Sequence, residues 1–279
     1  MLLSHSPRLT HFSYTPYHLG PSSARLAKWD VLSLPLLSSL PITFLHLSRL
    51  SQAGARAFSA LLSNLGEDSS LEDVSVNFVW LDDTLCEKIA EAGRRIRKLS
   101  IGTSGTKLTD KGITAIVERC DALEDLVLDE IQGDSSSRKL PYISDSQIGR
   151  LSRSLWTKPS DFPATLQHLR IVISETGPHH SWTTDHLLSL HALPVESLSG
   201  LSVVRREAFP RLENGIPTSQ AIVDDIFALK PVPREFVEKM RYARSLTTFQ
   251  NDWWAWNIAD LKVVLESCPN LEVGTLRSF

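Results

Sequence analysis

The chain has 279 residues and a formal net charge of −3, from 29 Lys and Arg against 32 Asp and Glu. This balance, without a basic excess, argues against nucleic acid or an anionic membrane as a partner. Hydrophobic residues make up 42% of the chain, so a folded core is expected and global disorder is not.

One short apolar pattern recurs along the chain: an apolar residue, two variable residues, a second apolar residue, one variable residue and a third apolar residue. We call these three apolar positions the first, second and third anchors. In chain order, the clearest copies occupy residues 71–76, 96–101, 123–128, 166–171 and 198–203, and looser copies occupy residues 9–14, 42–47, 246–249 and 271–276. The alternation within each copy predicts a short strand with one buried face.

The spacing of the copies predicts a repeat. The first anchors lie at positions 9, 42, 71, 96, 123, 166, 198, 246 and 271, so successive spacings are 33, 29, 25, 27, 43, 32, 48 and 25 residues. Several of these approach the roughly 20–29 residues of a leucine-rich repeat. The two long spacings predict insertions at about 131–163 and 205–245 within a single domain that spans residues 1–279. Such insertions can carry recognition, but a tolerated insertion without function explains them equally well.

Between the strand copies, the apolar spacing changes to that of a helix. Apolar residues after Asp110 fall at offsets of 0, 3, 4 and 7, and a similar stripe follows Asn257. Oxygen-bearing side chains at 82–83, 109–110 and 144–145 predict helix starts, because they can accept the free amide hydrogens of a first turn. Each unit is therefore predicted as strand, loop, capped helix and loop, and neighbouring units must stack to share a core. The alternative is that the apolar triplets are unrelated strands of an ordinary α/β domain.

Two segments carry a family resemblance. Residues 108–128 and 266–273 resemble the cysteine-containing leucine-rich repeats of F-box proteins, with Cys120 and Cys268 each three residues before a first anchor. The resemblance implies an α/β fold: a leucine-rich-repeat solenoid, a right-handed β-α superhelix of about nine irregular repeats in the shape of a horseshoe. It also implies a protein-binding module, the substrate-recognition part of a ubiquitin-ligase receptor. Residues 1–41 show no F-box, so adaptor binding does not carry over.

The partners expected from this resemblance are a protein ligand, either a substrate or a scaffold, and ubiquitin-ligase subunits. An alternative function is activation of a Ran-type GTPase, because such activators also contain leucine-rich repeats, although theirs are more regular in length. No Gly-x-Ser-x-Gly elbow or cofactor-binding motif occurs. We therefore predict a protein that is not an enzyme and holds no cofactor.

The residues between and just after the anchors are predicted to line the concave face. They are Phe44, His46, Asp73, Ser75, Asn77, Lys98, Ser100, Asp125, Val127, Asp129, His168, Arg170, Thr248 and Gln250. This mixture of acids and bases suits a protein ligand with its own mixed charges, although a merely solvated face would look similar. The candidate protein-binding residues chosen from it are Asp73, Asn77, Lys98, Asp125, Asp129, His168 and Arg170.

Tryptophans cluster near the end of the chain, where Trp253, Trp254 and Trp256 fall within four residues. If exposed in a strand-to-helix loop, they would be strong interface anchors, so Trp253 and Trp254 join the candidate protein-binding residues. The alternative is that they plug the solenoid beside the second insertion.

Three further features are explained by local structure. Residues 179–186 contain three histidines and an aspartate, but no spacing fixes them on one face, so no metal site is predicted. Residues 102–107 superficially resemble a phosphate loop with a misplaced lysine, and a turn is predicted instead. The cysteines, three and widely spaced, predict no disulfide framework, and Cys120 and Cys268 are predicted to be buried spacers.

With no signal-peptide pattern and no run of about 18 apolar residues, the expected location is intracellular, cytoplasmic or nuclear.

Overall fold

The computed structural model describes residues 6–14, 34–78, 81–103, 106–107, 110–129, 163–174, 194–206, 230–232 and 234–278. Its strands are β1 (His11–Tyr14), β2 (Phe44–Leu50), β3 (Asp73–Phe78), β4 (Leu81–Asp82), β5 (Lys98–Thr103), β6 (Thr106–Lys107), β7 (Asp125–Asp129), β8 (His168–Ser174), β9 (Gly200–Arg206), β10 (Lys230–Pro231), β11 (Thr248–Trp256) and β12 (Val273–Ser278). Its α-helices are α1 (Gln52–Leu65), α2 (Asp83–Ala92), α3 (Asp110–Arg119), α4 (Arg234–Met240) and α5 (Ile258–Ser267), with 3₁₀ turns at Leu34–Ser39 and Gly66–Asp68.

Ten of these strands form one parallel sheet. Its order is β1-β2-β3-β5-β7-β8-β9-β11-β10, with β12 paired to β11, and β4 and β6 form a separate parallel pair. In the described residues the sheet does not close into a barrel. The predicted α/β class is therefore confirmed. The copies at 71–76, 96–101 and 123–128 are parallel neighbours, because β3 pairs with β5 and β5 with β7.

The register of the sheet aligns the anchors of successive copies. The second anchors of the seven inner copies form one continuous column, in which every member is at most 2% exposed: Leu45, Val74, Leu99, Leu126, Leu169, Leu201 and Phe249. A one-residue slip would turn every buried side chain to the other face of its strand, so this burial fixes the register.

The sequence between the strands does not disturb this pairing. Strand β7 pairs directly with β8, although residues 130–167 separate them, and β9 pairs directly with β11. The predicted insertion at 131–163 lies outside the described residues, except for its last residue. The described part of the second insertion includes β10 and helix α4.

Side-chain caps start helices α2 and α5, and the sequence indicated the one at Asp82. Asp82 accepts a hydrogen bond from the amide of Leu85 at 2.9 Å, and Asn257 accepts one from the amide of Asp260 at 2.9 Å. Each bond satisfies one of the amide donors that a first helical turn leaves free. Helix α3 begins at Asp110, whereas Thr109 and the start predicted at 144–145 lie outside the described residues.

The described helices cover one face of the sheet, and no described helix covers the other, which we call the open face. Buried residues of α1 and α2, such as Phe58 and Ile89, belong to the same apolar cluster as the strand anchors. The stripe predicted after Asn257 is only partly buried, since Ile258 and Leu265 of α5 are 85% and 65% exposed. No described element packs on the outer side of α5, which accounts for this difference.

All three cysteines are free thiols in the core, as predicted for Cys120 and Cys268. The Cys120 sulfur fills the space beside Gly93, where an added Cβ would lie only 2.5 Å from it. Burial raises the pKa of Cys120 to about 12 and also raises the pKa values of Cys86 and Cys268. These thiols are therefore protonated at neutral pH, and they act as apolar spacers.

The assignment of the two sheet faces can be tested with adjacent residues of β7. We expect Leu126→Ala to lower the free energy of unfolding by about 2–5 kcal/mol, because it leaves a cavity beneath the sheet. Val127→Ala, on the open face, should lower it by less than about 1 kcal/mol. Urea unfolding followed by circular dichroism measures both, and equal losses would contradict the assignment.

Thiol labelling tests the burial of the cysteines. At pH 8 we expect Cys86 and Cys120 of the folded protein to react with iodoacetamide at least ten times more slowly than in 6 M guanidinium, because burial hides the sulfur and holds it protonated. Mass spectrometry of peptides identifies each labelled position. Rapid labelling of folded Cys120 would show that its thiol is not packed against Gly93.

Candidate binding face

The open face of the sheet carries side chains in ordered rows, because the strands are parallel and in register. The first row lies directly before the second anchors and contains His11, Phe44, Asp73, Lys98, Asp125, His168, Gly200, Thr248 and Val273. The second row lies between the second and third anchors and contains Ser13, His46, Ser75, Ser100, Val127, Arg170, Ser202, Gln250 and Thr275. Neighbours within a row are about 4.8 Å apart, the spacing of the strands, so polar groups can interact from one unit to the next.

A third row begins after the third anchors and includes Asn77, Gly102 and Asp129. A Cβ added to Gly102 would overlap the side-chain amide of Asn77. The glycine therefore leaves the space that the Asn77 amide occupies. A depression of about 210 Å³ lies beside this row and also contacts His46, Ser75 and Ser100.

Aromatic rings and one acid dominate the face at β1 to β3. The ring of His11 stacks on Phe44 with centroids 5.2 Å apart, and the centroids of Phe44 and His46 are 3.9 Å apart. His46 Nε2 lies 3.2 Å from Asp73 Oδ1. This end of the face combines a flat apolar surface with a polar pair, a combination that suits contact with a protein surface.

Asp125 contacts two basic side chains on the neighbouring strands. Its Oδ1 lies 2.6 Å from His168 Nδ1, and its Oδ2 lies 3.8 Å from Lys98 Nζ. These side chains are one third to more than one half exposed, so the pairs add little to stability. Their main effect is to orient the three side chains and to balance the Asp125 charge.

The His168 ring also contacts a hydroxyl, since its Nε2 lies 3.2 Å from Ser199 Oγ. The order Ser199, His168, Asp125 is similar to that of a serine-hydrolase triad, which also requires amide donors for an oxyanion. The amides of Ser199 and Gly200 both donate to the carbonyl oxygen of Gln167, at 2.8 and 3.0 Å, so neither is available for that role. We therefore conclude that the contacts with Ser199 and Asp125 hold the His168 ring in place and do not form a catalytic triad.

The Ser199 hydroxyl has equivalents in other units. Thr165 and Thr247, which precede β8 and β11, each donate a hydroxyl hydrogen to a carbonyl of the preceding repeat copy. Ser199 contacts the Gln167 carbonyl oxygen at 3.2 Å in the same manner. Its place in the structure is therefore explained by strand-to-strand bonding.

Gly200 shapes the face next to His168. A Cβ at this position would lie 2.6 Å from His168 Cδ2 and 2.9 Å from Thr248 Oγ1, closer than side-chain atoms approach. The missing side chain lets the His168 ring lie across β9, and it lowers the floor of the face between β8 and β11.

A depression of about 430 Å³ occupies this lowered region. Hydroxyl and amide groups of Ser202, Thr248, Gln250 and Thr275 line it together with Arg170. Ser202 Oγ donates to Gln250 Oε1 at 3.2 Å, which leaves the Gln250 amide hydrogens directed elsewhere. Arg170 is exposed and forms no ion pair with another described residue.

The structure brings together most of the predicted binding residues. Asp73, Lys98, Asp125 and His168 share the first row, Arg170 lies in the second, and Asn77 and Asp129 lie in the third. Six further residues of the first two rows are absent from the predicted set: His11, Ser13, Gly200, Ser202, Val273 and Thr275. The same counting from the anchors, applied to the copies at 9–14, 198–203 and 271–276, would have found them.

The prediction that Trp254 is an exposed anchor is wrong. Its side chain is fully buried, and its ring centroid lies 4.8 Å from that of Phe236 in helix α4. Trp256 is buried as well and contacts Phe249 edge-on at 5.6 Å. Because β11 continues to Trp256 instead of ending in a loop, these rings enter the core, as in the plug alternative. The Trp253 side chain lies outside the described part of the structure.

Metal and membrane chemistry find no support in the described residues. They contain no group of three or more His, Cys, Asp and Glu side chains that could hold a metal ion, and the histidines at 179–186 lie outside them. None of the described helices has the length and apolar character needed to cross a bilayer.

Comparison with known proteins gives no family. A scan against protein-family models gives no match, and a search of curated proteins gives none either. Function is therefore inferred from the geometry of the open face.

The Asp125 contact predicts the tautomer of His168. The carboxylate can only accept a hydrogen bond, so neutral His168 should carry its proton on Nδ1 and leave Nε2 unprotonated. Long-range ¹H–¹⁵N NMR at pH 8.5 distinguishes the two tautomers. In Gly200→Ala the added methyl group should displace the ring and change this signature, whereas a wild-type ring protonated on Nε2 would contradict the assigned bonding.

Proposed function

We propose that the chain is a leucine-rich-repeat solenoid whose open face binds another protein, without an enzymatic reaction of its own. The observation that carries this proposal is the face itself. It is a sheet surface of mixed polar, aromatic and charged side chains, aligned in rows, with no described helix covering it.

The repeat part of the proposal is supported by the agreement between spacing and register. Val74, Leu99 and Leu126 are successive second anchors, 25 and 27 residues apart, and they are direct partners across β3, β5 and β7. A helix follows each of β2, β3 and β5 and packs on the same side of the sheet. In a stacked repeat, equivalent positions of successive copies must pair across neighbouring strands. An ordinary α/β domain has no such requirement.

The face is large enough for a stable protein interface. Nine strands at about 4.8 Å span about 40 Å, and five to seven residues at about 3.3 Å each give a depth of about 20 Å. The resulting area, about 800 Å², equals the surface that one partner buries in a protein interface of ordinary size.

The charges of the face favour a protein over other ligands. Asp73, Asp125 and Asp129 balance Lys98 and Arg170, so the face lacks the basic excess that a phosphate backbone requires. Its depressions are open toward the sheet surface, whereas small-molecule sites bury most of their ligand. Alternating charges and aromatic rings instead match a folded or extended protein partner with complementary charges.

The resemblance to F-box repeats suggests the partner's class. On that basis we propose that the bound protein is a substrate delivered to a ubiquitin ligase. This part depends on the resemblance of residues 108–128 and 266–273, and it stands apart from the broader proposal of protein binding.

Site-specific photo-crosslinking tests which surface binds. We expect benzoylphenylalanine at Ser100 or Val127, on the open face, to capture a discrete partner protein in the native cell. The same group at Glu118, an exposed residue of α3 in the same region of the chain, serves as the matched control and should give less than about one tenth of the product. The difference is expected because the partner covers only the open face.

Equal capture from both surfaces would overturn the assignment of the open face. Mass spectrometry of the captured material then tests the ligase class. Enrichment of ubiquitin-ligase subunits would support the proposal that the partner is a ligase substrate. A discrete partner captured without those subunits would contradict that proposal but would still support protein binding.

A further inference from the structure

Arg170 differs from the other described charged residues in the first two rows of the face. Asp73 pairs with His46, and Asp125 pairs with both Lys98 and His168. Arg170 is exposed on β8, and its guanidinium has no acidic partner among the described residues. Among the described residues of these two rows, Arg170 is therefore a fixed positive charge without an acidic partner.

The groups around Arg170 are mainly hydrogen-bond donors. It lies between Val127 and Ser202 in the second row, with Gln250 and Thr275 following on β11 and β12. Because Ser202 already donates to Gln250 Oε1, the Gln250 amide hydrogens remain able to donate to a ligand. Hydroxyls of Thr248 and Thr275 line the same depression.

The single acid at the edge of this depression does not compete for Arg170. Both carboxylate oxygens of Asp125 are engaged, Oδ1 by His168 and Oδ2 by Lys98. The fixed positive charge and the donor groups therefore line a depression whose one described acid, Asp125, is already paired. A ligand that fills this space needs acceptor oxygens and a negative charge.

We propose that this depression receives an acidic side chain from an extended segment of the partner protein. The inference rests on the proposed function and names the chemistry of the ligand. The anionic group, a carboxylate or a phosphorylated hydroxyl, pairs with the Arg170 guanidinium and accepts hydrogen bonds from Gln250 and Thr248. Gly200 makes room for it by keeping the floor between β8 and β11 at the level of the backbone.

The apolar surface beside the depression also restricts which partner segments can bind. Val127 and Val273 line opposite sides of it, and Val273 is 56% exposed. An acidic residue flanked by apolar residues fits this arrangement better than a run of acids, because the latter would meet Asp125. A duplex or single-stranded nucleic acid fits poorly for the same reason, since its phosphates are continuous.

The test uses a display library of random linear 12-residue peptides selected against the whole chain. We expect the enriched peptides to share one Asp or Glu flanked by apolar residues. Arg170→Gln should weaken their binding about 10-fold to 100-fold, the effect of removing a charged hydrogen-bond partner. Arg119→Gln, at the end of α3 and away from the face, is the matched control and should change the affinity less than twofold.

Two further binding measurements identify the anionic group. Replacing the acidic residue of a selected peptide with Asn or Gln should weaken binding as much as Arg170→Gln does, and the two changes together should add little. Phosphoserine at that position distinguishes the sources: tighter binding identifies a phosphorylated partner, and weaker binding identifies a carboxylate. Fluorescence anisotropy measures each affinity, and thermal unfolding confirms that every variant is folded.

Ser202→Trp separates failure of this inference from failure of the proposed function, because it fills the depression and leaves Arg170 in place. If the enriched peptides lack acidic residues but do not bind the Ser202→Trp variant, the proposed anionic ligand is wrong, whereas peptide binding at the open face is supported. If neither Ser202→Trp nor Arg170→Gln changes the binding of any peptide, the inference is overturned at this depression. If photo-crosslinking also fails, the proposed function fails with it.

Discussion

The register of the parallel sheet is the constraint on which the rest of the structure depends. Side chains alternate between the two faces of a strand, so each unit must pair with the next at one offset to keep its anchors in the core. The column from Leu45 to Phe249 shows that this offset holds across insertions of very different length. The rows of the open face follow from the same alignment, because every residue between two anchors is forced outward.

Small residues then decide what the open face can do. Where the row position carries a side chain, neighbouring units meet in pairs such as Asp125 with His168. Where it is a glycine, as at Gly200 and Gly102, the face is lowered and the neighbours' side chains lie across the gap. The shape of the face therefore depends as much on the positions that lack a side chain as on the charged residues around them.

The copy at 246–251 departs from the repeat for a reason that is visible in its hydrogen bonds. The third anchor is Asn251, which is fully buried in a column of apolar residues. Its Oδ1 accepts a hydrogen bond from the Trp254 amide at 3.2 Å, where the pairing of β11 with β12 shifts between Asn251 and Ala255. An apolar residue could not satisfy that amide. The shift turns Trp254 and Trp256 inward, against Phe236 of α4.

The sequence by itself determined the core strands of the copies, the capped helix start at Asp82 and most of the residues on the open face, because these follow from short-range periodicity and side-chain chemistry. Only the tertiary structure decided the pairing of Asp125 with both Lys98 and His168, the role of Gly200 and the burial of Trp254. Each of these depends on which side chains from distant units meet across the sheet, and local spacing does not encode those contacts. Tryptophan carries both apolar area and a polar group, so its sequence context suits a core or an interface equally well until its neighbours are known.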